Sequence, residues 1–182
     1  MNLYSKLPLS DEQVNYLVET EVPSISATVQ LRDDQLFHLH IIHPKPPAPG
    51  ENEYSTARDV ELLVLASALE AHDAPIVVTG DLNDVGWSRT TRLFTKISQL
   101  RDPRIGRGLF NTFHADFWFA RWPLDHVVGK NGSDHFPMLV SLTLLPGKST
   151  CKPEAPTEAE KALIEDTMDT EIAATAEKPE LK

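Results

Sequence analysis

Cysteine is almost absent: the 182-residue chain has one, Cys151, so no internal disulfide framework and no thiolate zinc cluster can hold it together. Long apolar runs are missing too, since none approaches the roughly 18 residues needed to cross a bilayer. The opening Met1-Asn2-Leu3-Tyr4-Ser5-Lys6 lacks the apolar core of a secretory signal, and nothing in it is expected to route the chain for export. Basic charge is in deficit, with 17 Lys and Arg against 27 Asp and Glu for a formal net charge of −10. That balance excludes a protein that coats nucleic acid by bulk charge. It leaves open an enzyme that handles phosphate locally. With 41% hydrophobic residues and this length, one globular domain with a real core is expected.

The charge is unevenly spread. Residues 86–130 carry Arg89, Arg92, Lys96, Arg101, Arg104, Arg107, Arg121 and Lys130 against three aspartates. This local excess reads either as a patch for an anionic substrate or as solvated side chains on a helix and its loop. Residues 146–182 lack aromatics altogether and are rich in Glu, Ala, Lys, Pro and Thr. They are expected to form an acidic, mostly disordered tail to a domain spanning 1–145. Thr157 and Glu160 nevertheless have capping-box spacing, and Leu163, Ile164, Met168 and Ile172 can line one helix face.

Along the domain, residues 24–31 alternate and carry β-branched side chains, predicting a strand that returns as 36–43 after the turn at 32–35. The proline-rich run 44–50 cannot supply ladder donors and reads as a stiff loop. A helix is expected from a Ser55 cap to about His72, then a short buried strand at Ile76–Thr79, then a second helix capped by Ser88. Leu124–Val128 and Phe136–Leu145 are further strand candidates. The order predicts a mixed α/β sheet protein.

Three clusters follow strand-like runs, each with an aspartate. In Gly80-Asp81-Leu82-Asn83-Asp84 the glycine permits a sharp turn, Asp81 can hold a water or a metal, and Asn83 can donate to a phosphoryl oxygen. The same residues also suit an Asx turn opening the Ser88 helix. In Pro123–Val128, Asp125 sits in an apolar run and needs a partner. In Gly132–Pro137, Asp134 and His135 put a metal-ligand type beside a proton-transfer group, which Asp125 can orient. His43, ending the second strand, is a fourth candidate; alternation places His38 and His40 on the other face, toward solvent or a polar contact.

The ordered set His43, Gly80-Asp81-Leu82-Asn83, Leu124-Asp125-His126 and Ser133-Asp134-His135 resembles the endonuclease/exonuclease/phosphatase (deoxyribonuclease I-like) superfamily, and is similar to its bacterial members. The resemblance covers roughly residues 2–145, with Leu3-Tyr4-Ser5-Lys6 reading like the strand that opens the second half of the family's fold. It implies part of a four-layer α/β sandwich, mixed sheets flanked by helices. It also implies hydrolysis of phosphate esters with Mg²⁺ or Mn²⁺. In those terms His43 matches the histidine on the scissile phosphate, Asp81 the aspartate that aligns or deprotonates water, and Asn83 the phosphate-binding asparagine. Asp134 matches the metal-associated aspartate, His135 the histidine at the reacting phosphate, and Asp125 its orienting partner. Whether Asp81 or His135 is the base stays open.

The family's first half supplies an asparagine and a metal-binding glutamate that have no counterpart here; Glu12, Glu19 and Glu21 fall in another strand context. The N-terminal half of the fold is therefore expected to be missing, or supplied by a partner chain. Two functions follow: a metal-dependent phosphohydrolase of phosphodiesterase or nuclease type, or an impaired remnant that binds phosphate or a partner. A generic α/β domain with turn chemistry at its strand ends is a third. The substrate class (nucleic acid, lipid head group or small phosphodiester) is not encoded legibly. Localisation is likewise open, because relatives often carry membrane segments ahead of the domain. Short of that glutamate, the chain is expected to hydrolyse a chromogenic phosphodiester weakly or not at all when Mg²⁺ or Mn²⁺ is added. Robust turnover, lost in Asp81→Ala and His135→Ala, is the result that overturns this expectation.

Overall fold

The computed structural model describes residues 1–32, 35–46, 56–70, 72, 74–104, 108, 111, 140, 141 and 153–176. They form strands β1 (Leu9–Tyr16), β2 (Pro23–Arg32) and β3 (Gln35–Ile41), helix α1 (Thr56–Glu70), strand β4 (Ile76–Thr79), and helices α2 (Arg89–Ser98) and α3 (Glu158–Ala176). The strands make one mixed sheet in the order β1-β2-β3-β4. The first three are antiparallel neighbours, and β4 joins β3 in parallel after the α1 crossover. A mixed α/β fold is thus present. The expected strand at 124–128, that at 136–145 apart from residues 140 and 141, the cap at Ser55 and the turn residues 33–34 lie outside the described residues, which contain this one sheet.

The sheet follows from its side chains. β2 buries Ala27, Thr28 and Val29 in succession, so both its faces are covered there, as suits a central strand. β1 is an edge strand with Val14 and Tyr16 more than half exposed. A register shift between Ser10 and Gln13 interrupts its pairing, with Asp11 at φ 54°, a left-handed conformation that aspartate tolerates better than most residues. Bulge and charge together blunt an edge that would otherwise invite further strands. The strand foreseen at Leu3–Lys6 is absent. Ser5 instead closes a local turn, its hydroxyl accepting from Leu7 N at 3.0 Å and donating to Leu7 O at 2.8 Å.

Helix α1 is apolar nearly all round because it has neighbours on several sides. Leu62, Leu63, Leu65, Ala66 and Leu69 join a core cluster with Ile42 at the end of the sheet and Leu93, Phe94 and Ile97 of α2. α2 is amphipathic in the ordinary way. Ser88 caps it by accepting from Thr91 N at 2.9 Å, and Gln99 ends it in a left-handed turn at φ 57°.

The tail departs from expectation. Residues 158–176 form α3, with Thr157 and Glu160 making the capping box: Glu160 N donates to Thr157 Oγ1 at 3.3 Å, and Thr157 N donates to Glu160 Oε2 at 2.8 Å. Ile164 is buried in the α1–α2 cluster, and Lys96 Nζ donates to both Glu160 oxygens at 2.8 and 3.0 Å. Lys96 and the Thr157 amide hold the Glu160 carboxyl at about 2. An apolar stripe with a ready-made cap finds a greasy seam between two helices, and docking overrides the acidic composition. No helix among the described residues is long and apolar enough to cross a membrane.

The closest backbone approach is at the end of the parallel pair. Gly80 has φ 137°, and a Cβ there would stand 1.8 Å from Ile42 O. Gly80→Ala is expected to lower unfolding free energy by about 3 kcal/mol or more in urea titrations, through clash and backbone strain. Gly86→Ala, whose Cβ would meet the end of the Arg104 side chain at 2.9 Å, should be clearly milder.

Candidate functional site

Parallel pairing in register builds the site. Ile41 of β3 stands opposite Thr79 of β4, and Ile42 N donates to Thr79 O at 3.0 Å. Two residues beyond each of those partners come His43 and Asp81, at the carboxyl ends of adjacent parallel strands, where open α/β sheets usually bind ligands. His43 Nε2 lies 3.8 Å from Asp81 Oδ2, with the His43 side chain 57% exposed and that of Asp81 14% exposed. The imidazole is presented outward and the carboxylate is sheltered behind it.

Asn83 completes the described part. Its backbone N–H donates to Asp81 Oδ1 at 2.8 Å, and its side-chain Nδ2 donates to Pro44 O at 2.8 Å. Asn83 sits at φ 48°, in the left-handed region, so the Gly80–Asp84 segment is a tight Asx-type turn. The two readings of this cluster are therefore compatible, because the turn is what brings Asp81 and Asn83 to the end of β4. Asp84 belongs to the scaffold. It is buried and accepts from Val85 N (2.9 Å), Ser88 Oγ (2.5 Å) and Thr91 Oγ1 (2.9 Å), fixing the start of α2.

His43, Asp81 and Asn83 lie together at this end of the sheet; Asp125, Asp134 and His135 lie outside the described residues. Among the described residues no three His, Cys, Asp or Glu side chains come together as metal donors. Asp81 Oδ1 accepts from the Asn83 backbone N–H, and Oδ2 faces His43. His38 and His40 stay away from the site, as alternation required. His38 Nδ1 is 3.2 Å from Thr28 Oγ1, and its ring centroid is 5.9 Å from that of His72. Burial, then the neighbouring His38 and His72, lowers the pKa of His40. Part of the basic stretch is neutralised internally, Lys96 by Glu160 and the buried Arg104 by Asp102, whose Oδ2 accepts from Arg104 Nη2 at 2.7 Å.

Sequence reasoning missed two charged residues of α1. Arg58 reaches the turn itself, Nη1 donating to Asn83 O at 2.6 Å. Glu61, one turn along, is 3% exposed, and its Oε1 has no hydrogen-bond partner among the described residues. A charged residue inside the apolar run 60–66 was the available signal. Glu19, which also faces Glu61, pairs with Lys45 at 3.2 Å, two residues past His43. Burial, reinforced by Glu19, pushes the Glu61 carboxyl up from 4.5 to about 7.

The sequence pattern of the endonuclease/exonuclease/phosphatase family matches residues 3–135. The chain belongs to that family, whose members are hydrolases acting on phosphate esters. Among solved structures it is similar to the human nocturnin catalytic domain with bound sulfate anion, at 18% identity and a TM-score of 0.45. That match covers 58% of this chain and 44% of nocturnin's, so the chain spans less than half of the relative's length. No curated protein matches the chain.

Because the Glu61 carboxyl titrates higher in the folded protein than in the unfolded chain, its contribution is full below about pH 4.5 and is lost as pH rises through about 7. Glu61→Gln should therefore flatten the pH dependence of urea stability between pH 5 and 8. At pH 8 it should stabilise the protein relative to wild type, by at most about 3 kcal/mol. An unchanged slope would refute the buried-acid assignment.

Proposed function

We propose that this chain is a metal-dependent phosphohydrolase of phosphodiesterase or nuclease type. The observation that carries the reading is the juxtaposition of His43 and Asp81 at the carboxyl ends of two parallel strands, with the Asn83 amide held beside them. An exposed imidazole can donate to a phosphoryl oxygen, and a sheltered carboxylate can align a water and accept its proton. The Asn83 amide nitrogen carries two hydrogens, and Pro44 O takes one. The second serves a substrate oxygen. Water attacks phosphorus as its proton passes toward Asp81 Oδ2, and the bond to the leaving alcohol breaks.

Asp125 and His135 are proposed to supply the second carboxylate–imidazole pair, and Asp134 the metal contact. Members of the family generally use divalent metals, and Mg²⁺ or Mn²⁺ is the proposed ion. The resemblance also implies a glutamate and an asparagine at the full site, and low turnover is proposed wherever these two are not supplied.

The test is hydrolysis of bis(p-nitrophenyl) phosphate with Mg²⁺ or Mn²⁺. Slow turnover abolished by EDTA is expected, with Asp81→Ala and His43→Ala lowering kcat on the order of 100-fold, the scale of a lost proton-transfer group. Turnover equal in wild type and Asp81→Ala would reject the assignment. Phosphate binding with no turnover under any ion would support a binding module instead.

A further inference from the structure

Helix α1 enters the site through one side chain. The Arg58 side chain is 11% exposed, and its donors are divided between two places. Nε and Nη2 reach Asp59 Oδ1 at 3.0 and 2.7 Å, while Nη1 reaches the carbonyl of Asn83 at 2.6 Å. Nη2 also stands 3.7 Å from Asp84 Oδ1. The guanidinium is thus compensated by two carboxylates and spends one arm on a neutral backbone oxygen of the candidate site.

That oxygen belongs to a non-glycine residue held at positive φ in the turn. Asn83 is left-handed, at φ 48°, a conformation that costs a non-glycine residue something and persists only where its surroundings hold it. Three bonds hold it: Asp81 on its N–H, Pro44 on its side-chain amide and Arg58 on its carbonyl. Asp81 and Pro44 lie at the strand ends themselves. Arg58 alone among these three comes from a helix, and it ties the turn to the rigid start of α1. A planar fork can serve Asp59 and the Asn83 carbonyl together, whereas a lysine ammonium cannot span both.

We propose that Arg58 is a positioning residue: by gripping the Asn83 carbonyl it sets the direction of the Asn83 amide toward a phosphoryl oxygen. This rests on the phosphohydrolase reading. Arg58 touches no substrate; it acts through Asn83.

The experiment is a double-mutant cycle on inorganic phosphate affinity, read from side-chain amide NMR shifts of the labelled protein and accompanied by amide hydrogen exchange at Asn83. Arg58→Lys, which keeps charge beside Asp59 and Asp84, and Arg58→Met are each combined with Asn83→Gly, which keeps the positive φ and removes the amide. Arg58→Met should weaken phosphate binding about tenfold, the scale of one charged hydrogen bond, with Arg58→Lys intermediate. In the Asn83→Gly background neither should weaken it further, because the two act as one unit. Exchange at the Asn83 N–H should accelerate about tenfold in Arg58→Met. Additive losses, or wild-type affinity in both Arg58 variants, overturn the proposal. If Arg58→Met fails to fold, Arg58→Lys decides by the same criteria. Should the wild-type protein show no response to phosphate, the phosphohydrolase reading fails while exchange still decides the grip: faster exchange upholds it, and unchanged exchange refutes it.

Discussion

The parallel pairing of β3 with β4 is the constraint on which the candidate site depends. Because Ile41 stands opposite Thr79, the next residues run out side by side past each strand end, and His43 meets Asp81. The pairing can reach so far only because residue 80 has no side chain where it crosses Ile42 O. Register is therefore also chemistry: a one-residue slip would turn either His43 or Asp81 to the opposite face.

Around that pair the scaffold is polar and fully engaged. Asp84 gathers the start of α2, Arg58 brings the start of α1, and Asn83 lies between them. The partners come from different elements, so the turn is held more firmly than its own sequence could manage. A rigid frame of this kind is what positions catalytic groups closely enough to matter. Glu61 is the exception within it, a buried carboxyl whose Oε1 lacks a hydrogen-bond partner among the described residues and whose pKa burial raises.

Much of this was legible from residues. Alternation at 24–31, the apolar Ile76–Thr79 and the Ser88 cap each reflect local physics, and the strands and helix they predicted are present. His43, Asp81 and Asn83 were legible as strand-end candidates, while their juxtaposition is a product of the sheet register. β1 escaped notice because an exposed, bulged edge strand carries Asp11, Glu12 and Gln13 rather than an apolar alternation. The docking of α3 escaped because its partners are remote in sequence. Lys96 and Glu160, for example, are 64 residues apart, and composition is blind to such contacts. Arg58 and Glu61 escaped for the same reason: an arginine opening a helix looks solvated until its target, 25 residues on, is in view.

Ile164 has a consequence for how the chain comes into being. Its side chain belongs to the same core cluster as Ile42, Leu62 and Phe94. A chain leaving the ribosome can pair β1, β2 and β3 early, yet that part of the core stays unfilled until residue 164 has emerged. The segment that composition marks as an appendage thus supplies a piece of the interior. During synthesis the unfilled seam between α1 and α2 is the surface that a chaperone, or a stray partner, would meet first.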